Sequence, residues 1–183
     1  MKVWRLKVLC TFFIHYFLSE GAAQNCVEDL DPVEFLCPDS RFLLKGMGSR
    51  SPFFGDVLSV SCTDANEQLY ADEESVYTFF SPDGGFTLDA RCPDENEIIT
   101  RISMCLVDAH VQAVTISCSG IKDPDRIEEK YEETSQKMRD AFVNCGDNSA
   151  IQSISLADAG EGIITRITFG CLKISMPDSE ILY

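Results

Sequence analysis

The sequence predicts a mainly β fold, a threefold cystine-framed hairpin repeat with one inserted amphipathic helix, and three observations carry that expectation. The segments Cys37–Cys62, Cys92–Cys118 and Cys145–Cys171 have nearly equal lengths. Each opens on the same kind of corner: Cys37-Pro38-Asp39, Cys92-Pro93-Asp94 and Cys145-Gly146-Asp147. Each closes on an alternation that runs into its last cysteine: Leu58-Ser59-Val60-Ser61-Cys62, Val114-Thr115-Ile116-Ser117-Cys118 and Ile167-Thr168-Phe169-Gly170-Cys171. Strict alternation puts every second side chain on one face, the pattern of a strand with one buried side.

The N-terminus reads as an export signal. Lys2, Arg5 and Lys7 precede an apolar run from Val8 to Leu18, and Gly21, Ala22 and Ala23 supply small side chains at a cleavage point. The run is shorter than the roughly 20 residues a bilayer-spanning helix needs. Residues 1–23 are therefore expected to be removed, leaving residues 24–183 as one secreted, disulfide-rich β domain that does not enter a membrane.

Within each repeat an earlier alternation, Leu44–Met47, Ile99–Met104 or Ile151–Leu156, supplies the first strand of a hairpin. The loops between strands are Ser51–Asp56, Val107–His110 and Asp158–Gly162. A two-stranded hairpin is marginal on its own, so the three are expected to share an interior with approximate threefold symmetry. A disulfide from first to last cysteine of a repeat would clamp each open end, contributing roughly 3–4 kcal/mol in the loop-entropy picture.

The segments between repeats differ from each other. Residues 63–91 carry Tyr77, Phe79, Phe80 and Phe86 around a Pro82-Asp83-Gly84-Gly85 turn and suggest a further hairpin. Residues 124–142 suggest the inserted helix. Asp123 is a cap, Pro124 suits the first helical position, and Ile127, Tyr131, Met138 and Phe142 share one helical face. Glu133 and Lys137 add an i, i+4 pair.

With Cys10 in the signal, eight cysteines remain: Cys26, Cys37, Cys62, Cys92, Cys105, Cys118, Cys145 and Cys171. An even count in an exported chain reads as four disulfides. Closing each repeat leaves Cys26 to pair with Cys105. The equal spacing of Cys92, Cys105 and Cys118 also permits a shifted scheme, and eight cysteines allow 105 connectivities.

Charge narrows the partners. Without Lys2, Arg5, Lys7 and Glu20 the mature chain has 12 basic and 29 acidic residues, a net of −17. Nucleic acid and anionic membranes are excluded as partners, because both are held by cations. Catalysis finds little to work with: His110 is the only mature histidine and sits in a hairpin loop, so no catalytic residue is assigned. No zinc spacing or EF-hand occurs. The clusters Asp29–Asp31, Asp72–Glu74 and Asp123–Asp125 allow only weak calcium association, and neither cofactor nor metal site is expected.

The Cys-Pro-Asp openings, Gly55-Asp56 ahead of the first closing strand, and Cys62, Cys118, Cys145 and Cys171 resemble the repeat of the vitelline membrane outer layer protein I family and, more distantly, dermatopontin. The resemblance covers residues 37–171 in outline. It implies a β-prism of three sheets about a pseudo-threefold axis in a secreted extracellular coat protein with carbohydrate affinity; the expected helix is additional to that pattern. The sequence is thus read as a secreted, non-enzymatic structural or binding protein, a coat or matrix component engaging an extracellular glycan or protein. A soluble effector acting on a receptor and an acidic mineral-associated matrix protein are the alternatives. Phe53 and Phe54 are the candidate aromatic sugar contacts.

Overall fold

The computed structural model describes residues 33–38, 42–49, 58–65, 69–71, 73–80, 87–107, 110–135, 141–158 and 164–176. The expected signal segment, Cys10, Cys26, Phe53, Phe54 and the Gly55-Asp56 pair lie outside them. The described residues are mainly β, in eleven strands: β1 (Val33–Leu36), β2 (Phe42–Ser49), β3 (Leu58–Asp64), β4 (Ser75–Phe80), β5 (Thr87–Arg91), β6 (Glu97–Val107), β7 (His110–Gly120), β8 (Ile127–Thr134), β9 (Ala141–Asn144), β10 (Ser149–Asp158) and β11 (Ile164–Ile174).

The alternating segments form the three expected antiparallel hairpins: β2 with β3, β6 with β7, and β10 with β11. Each is closed by its own disulfide, Cys37–Cys62, Cys92–Cys118 and Cys145–Cys171. Cys105 is also disulfide-bonded; its expected partner Cys26 lies outside the described residues.

Each hairpin is the centre of a sheet whose flanking strands come from elsewhere in the chain. The first sheet has the order β3-β2-β9, the second β1-β6-β7-β4 and the third β5-β10-β11-β8. The strand ahead of each opening cysteine joins the following hairpin and not its own. Phe35, Ala90 and Val143, each two residues before such a cysteine, pair with Ile102, Ile154 and Met47 respectively. The cycle closes because β9, ahead of the third hairpin, returns to the first.

The inward rows of all three sheets meet in one core. Phe35, Met47, Ile102, Ile116, Ile154 and Phe169 belong to it and are fully buried. Burying such a side chain contributes roughly 1.5–3 kcal/mol, against about 0–1 kcal/mol for an exposed ion pair, so this interior dominates the fold's stability. A second apolar cluster sits next to the cystines, where Leu43, Ile98 and Ala150 meet Ala65, Ile121 and Ile174.

A β-bulge in each first strand joins the units further. Pairing skips Lys45, Thr100 and Gln152. A bulge turns a carbonyl out of its own ladder, and two of these carbonyls are used. The Cys145 N–H donates to Lys45 O at 2.8 Å, and the Cys92 N–H to Gln152 O at 3.2 Å. The side chains reinforce the joints: Lys45 Nζ lies 2.9 Å from Asp147 Oδ1, and Gln152 Nε2 donates to Glu95 O at 2.7 Å.

Two expectations are overturned. The helix over 124–142 is not formed: a single 3-10 turn at Pro124–Arg126 is followed by β8, and β9 begins at Ala141. The start signals are real but serve that one turn, with Asp123 accepting from Asp125 N and Pro124 in the first turn. Ile127 and Tyr131 stand four apart, a spacing that fits a helix face and also alternate positions of a strand. The edge of β11 decides the matter by pairing with β8 over its whole length. The Tyr131 hydroxyl then accepts from Gly146 N at 2.8 Å and bonds Ser149 Oγ at 2.9 Å, fastening β8 to the third cystine corner. The hairpin expected within 63–91 is not formed either. β4 pairs with β7 in the second sheet and β5 with β10 in the third, so the two strands cover edges of different hairpins.

Two measurements test these joints. A Cβ on Gly46 would stand 2.7 Å from Val143 O, whereas one on Gly120 meets nothing within 4 Å. In denaturant titrations with disulfides intact, Gly46→Ala is expected to lose about 1–3 kcal/mol, and Gly120→Ala to stay within about 0.5 kcal/mol of wild type. The Asp147 carboxyl is held below its usual range by the hydrogen bond and charge of Lys45. The folded pKa is thus the lower one, so the contribution of this pair is complete above the unfolded carboxyl pKa and disappears as pH falls through the folded value. NMR titration should find the Asp147 midpoint depressed, and Lys45→Met should return it to the ordinary carboxylate range.

Candidate functional site

The outward faces of the sheets share none of the uniformity of the core. On the second sheet Leu36, Val76 and Phe80 are exposed on the flanking strands, around Arg101, Ser103 and Thr115. On the first sheet the half-buried Ser59 and Ser61 of β3 stand opposite Gly48 and Gly46 of β2, both of which are buried. The third sheet carries a trough of about 380 Å³ across its strands.

Two register rows build that trough. In one, Arg91, Ser153, Gly170 and Glu132 follow each other across β5, β10, β11 and β8; in the next, Asp89, Ser155, Thr168 and Thr134 do so. The floor consists of small side chains on the two central strands, and charged side chains stand on the flanking strands. The lining includes Asp89, Arg91 and Glu132 as walls and Ser153, Ser155 and Thr168 as floor. Glycine at 170 keeps the floor low, since a Cβ there would fall on Ser153 Oγ. A hydroxyl pair, Thr134 Oγ1 to Thr168 Oγ1 at 3.0 Å, fixes one end of the second row.

The chemistry on offer is hydrogen bonding. Hydroxyls donate and accept, two carboxylates accept, and the Arg91 guanidinium donates in a planar fork. Asp89 and Glu132 sit on strands separated by two others, roughly 14 Å apart at the backbone by strand spacing.

Six of the eight sequence-derived cysteines come together as Cys37–Cys62, Cys92–Cys118 and Cys145–Cys171. Cys92, Cys118 and Glu97 lie within 4.8 Å of one another, but the two sulfurs are bonded to each other and the group is not a metal set. The expected acidic clusters do not converge where they are described. Asp123 caps its turn, and Glu74 Oε1 accepts from Thr100 Oγ1 at 2.7 Å. His110 opens β7, its backbone paired with Val107 at the hairpin's tip. None of the trough residues was singled out from the sequence. Alternation marks Ser153, Ser155, Thr168 and Gly170 as outward-facing, but only the strand order brings Asp89, Arg91 and Glu132 alongside them.

No protein-family model, curated protein or solved structure matches this chain. Three disulfides are consistent with an extracellular protein. Among the described residues no helix is long and apolar enough to cross a membrane.

The Ser153 and Gly170 relation yields a double-mutant prediction. Gly170→Ala alone is expected to destabilise by about 1–2 kcal/mol through overpacking. In a Ser153→Ala background, where the nearest atom becomes Ser153 Cβ at 3.5 Å from the new methyl, most of that cost should vanish. Chemical denaturation of the four proteins gives the coupling energy directly.

Proposed function

We propose that this chain is a secreted coat or matrix protein, folded as a β-prism of three repeats, that binds a neutral glycan in the trough of its third sheet. The trough carries the reading. A low floor of hydroxyls between walls of Asp89, Arg91 and Glu132 matches a polyol, which presents many donors and acceptors without charge. Net charge sets the specificity, since a chain at −15 overall repels sulfated and uronic-acid polymers. A trough running across four strands suits a chain of several sugars better than a single residue.

The rigid setting supports a binding role. The floor lies on the two longest-paired strands of the third sheet, directly over core residues Ile154 and Phe169. Side chains fixed in this way lose little freedom when a ligand arrives.

Oxidised protein of residues 24–183 should bind uncharged oligosaccharides on a glycan array, and raising the salt should change that binding little, because hydrogen bonds rather than long-range charge carry it. Ser155→Trp fills the trough from an outward position and is expected to weaken binding at least tenfold at unchanged melting temperature. Binding confined to acidic glycans, or binding that Ser155→Trp leaves intact, would dismiss the proposal.

A further inference from the structure

The three sheets are unequal at one edge. β4 closes the edge of β7 in the second sheet, and β8 closes that of β11 in the third. Among the described residues no strand is laid along the corresponding Leu58–Thr63 edge of β3, which runs beside β1 at the corner between the first and second sheets.

Two side chains register this inequality. Val60 stands two residues before its closing cysteine, as Ile116 and Phe169 do, and pairs with Met47 as they pair with Ile102 and Ile154. Ile116 and Phe169 are 0 % exposed; Val60 is 39 % exposed. Thr63 follows its closing cysteine as Ser119 follows Cys118. The Ser119 hydroxyl lies 2.7 Å from Ala71 O and 2.8 Å from Glu73 O, on the segment that leads into β4. The Thr63 hydroxyl is buried and has no hydrogen-bond partner among the described residues. Wetting an inward apolar position and orphaning a buried hydroxyl are both unfavourable. One strand of main chain laid along β3 would relieve both.

We propose that the Leu58–Thr63 edge of β3 accepts an extended segment of a partner polypeptide by strand addition. The closed edges specify its chemistry. It runs antiparallel, as β4 and β8 do. Opposite Ser59 it carries Ser or Thr, because Thr78 and Thr134 hold that place opposite Thr115 and Thr168, with oxygens 3.0 Å apart in both pairs. Opposite Val60 it carries an apolar or aromatic residue on the pattern of the second sheet, where the half-buried Tyr77 stands opposite Ile116; in the third sheet the exposed Glu133 holds that place opposite Phe169. It is neutral or basic, since the chain is at −15 and the exposed Glu34 lies on the adjoining β1.

The test uses oxidised protein of residues 24–183 and a fluorescent peptide with the Ser75–Phe80 sequence between lysine pairs. Anisotropy should show saturable binding, weakened at least tenfold by Val60→Lys and by replacing the flanking lysines with glutamates. N-methylation of alternate peptide amides should abolish it; this control needs no protein variant and stands even where Val60→Lys fails to fold. The proposal is overturned if no binding saturates at millimolar peptide, or if the N-methylated or glutamate-flanked peptide binds as well. Binding that requires removal of residues 177–183 would assign the edge to this chain's own segment. A homodimer dissolved by Val60→Lys would assign it to a second copy. Either result also overturns a separate partner.

Discussion

A two-stranded hairpin exposes as much apolar surface as it covers, and this fold is the consequence of three hairpins that must cover one another. The strand directly ahead of each opening cysteine does not serve its own hairpin. The segment before Cys37 is spent on the second hairpin, that before Cys92 on the third, and that before Cys145 on the first. Each sheet is therefore assembled from distant parts of the chain. Removing one flanking strand uncovers a neighbour's core, not its own, so stability is shared around the ring instead of residing in each unit.

The cystines and bulges serve this same exchange. A disulfide holds the two strands of a hairpin together beside the corner where the chain crosses to the next sheet. The bulge then presents a carbonyl to the cysteine amide arriving from another unit, as Lys45 does for Cys145 and Gln152 for Cys92. Exposed pairs such as Lys130 with Glu95 and Lys173 with Glu128 decorate these crossings, and hydration leaves them little net energy. The Lys173 ammonium is nevertheless held above its ordinary range by hydrogen bonding to Glu128, so whatever it contributes is present below the unfolded lysine pKa and is lost as pH rises through the folded value.

The hairpins and their cystines were legible in the sequence because both signals are local: alternation ending in cysteine, and nearly equal spacing between cysteines. The exchange of flanking strands was not, since proximity in sequence is the default guide to pairing and here it misleads. Tyr77 and Leu88 both face inward, but in different sheets. The segment after Asp123 was misread for a related reason. Ile127 and Tyr131 satisfy two periodicities at once, and the deciding partner, the edge of β11, lies more than thirty residues further on. The trough escaped notice because its floor is made of Ser, Thr and Gly, the residues that any solvent-facing row of a strand would show.

Interior and exterior positions answer to different constraints. Inward positions must fill one space from three directions, so Met47, Ile102 and Ile154 differ in shape but not in role. Outward positions do not share that one space, and the three faces differ: an apolar-rimmed surface, a face with Ser59 and Ser61, and a charged-walled trough. The edges belong to neither class. At β7 and β11 an edge residue is interior because a further strand makes it so, which is why Ile116 and Phe169 are dry. Val60 has the sequence context of a core residue and the environment of a surface one, and that conflict arises because burial in a sheet is conferred by the next strand and not by the residue itself.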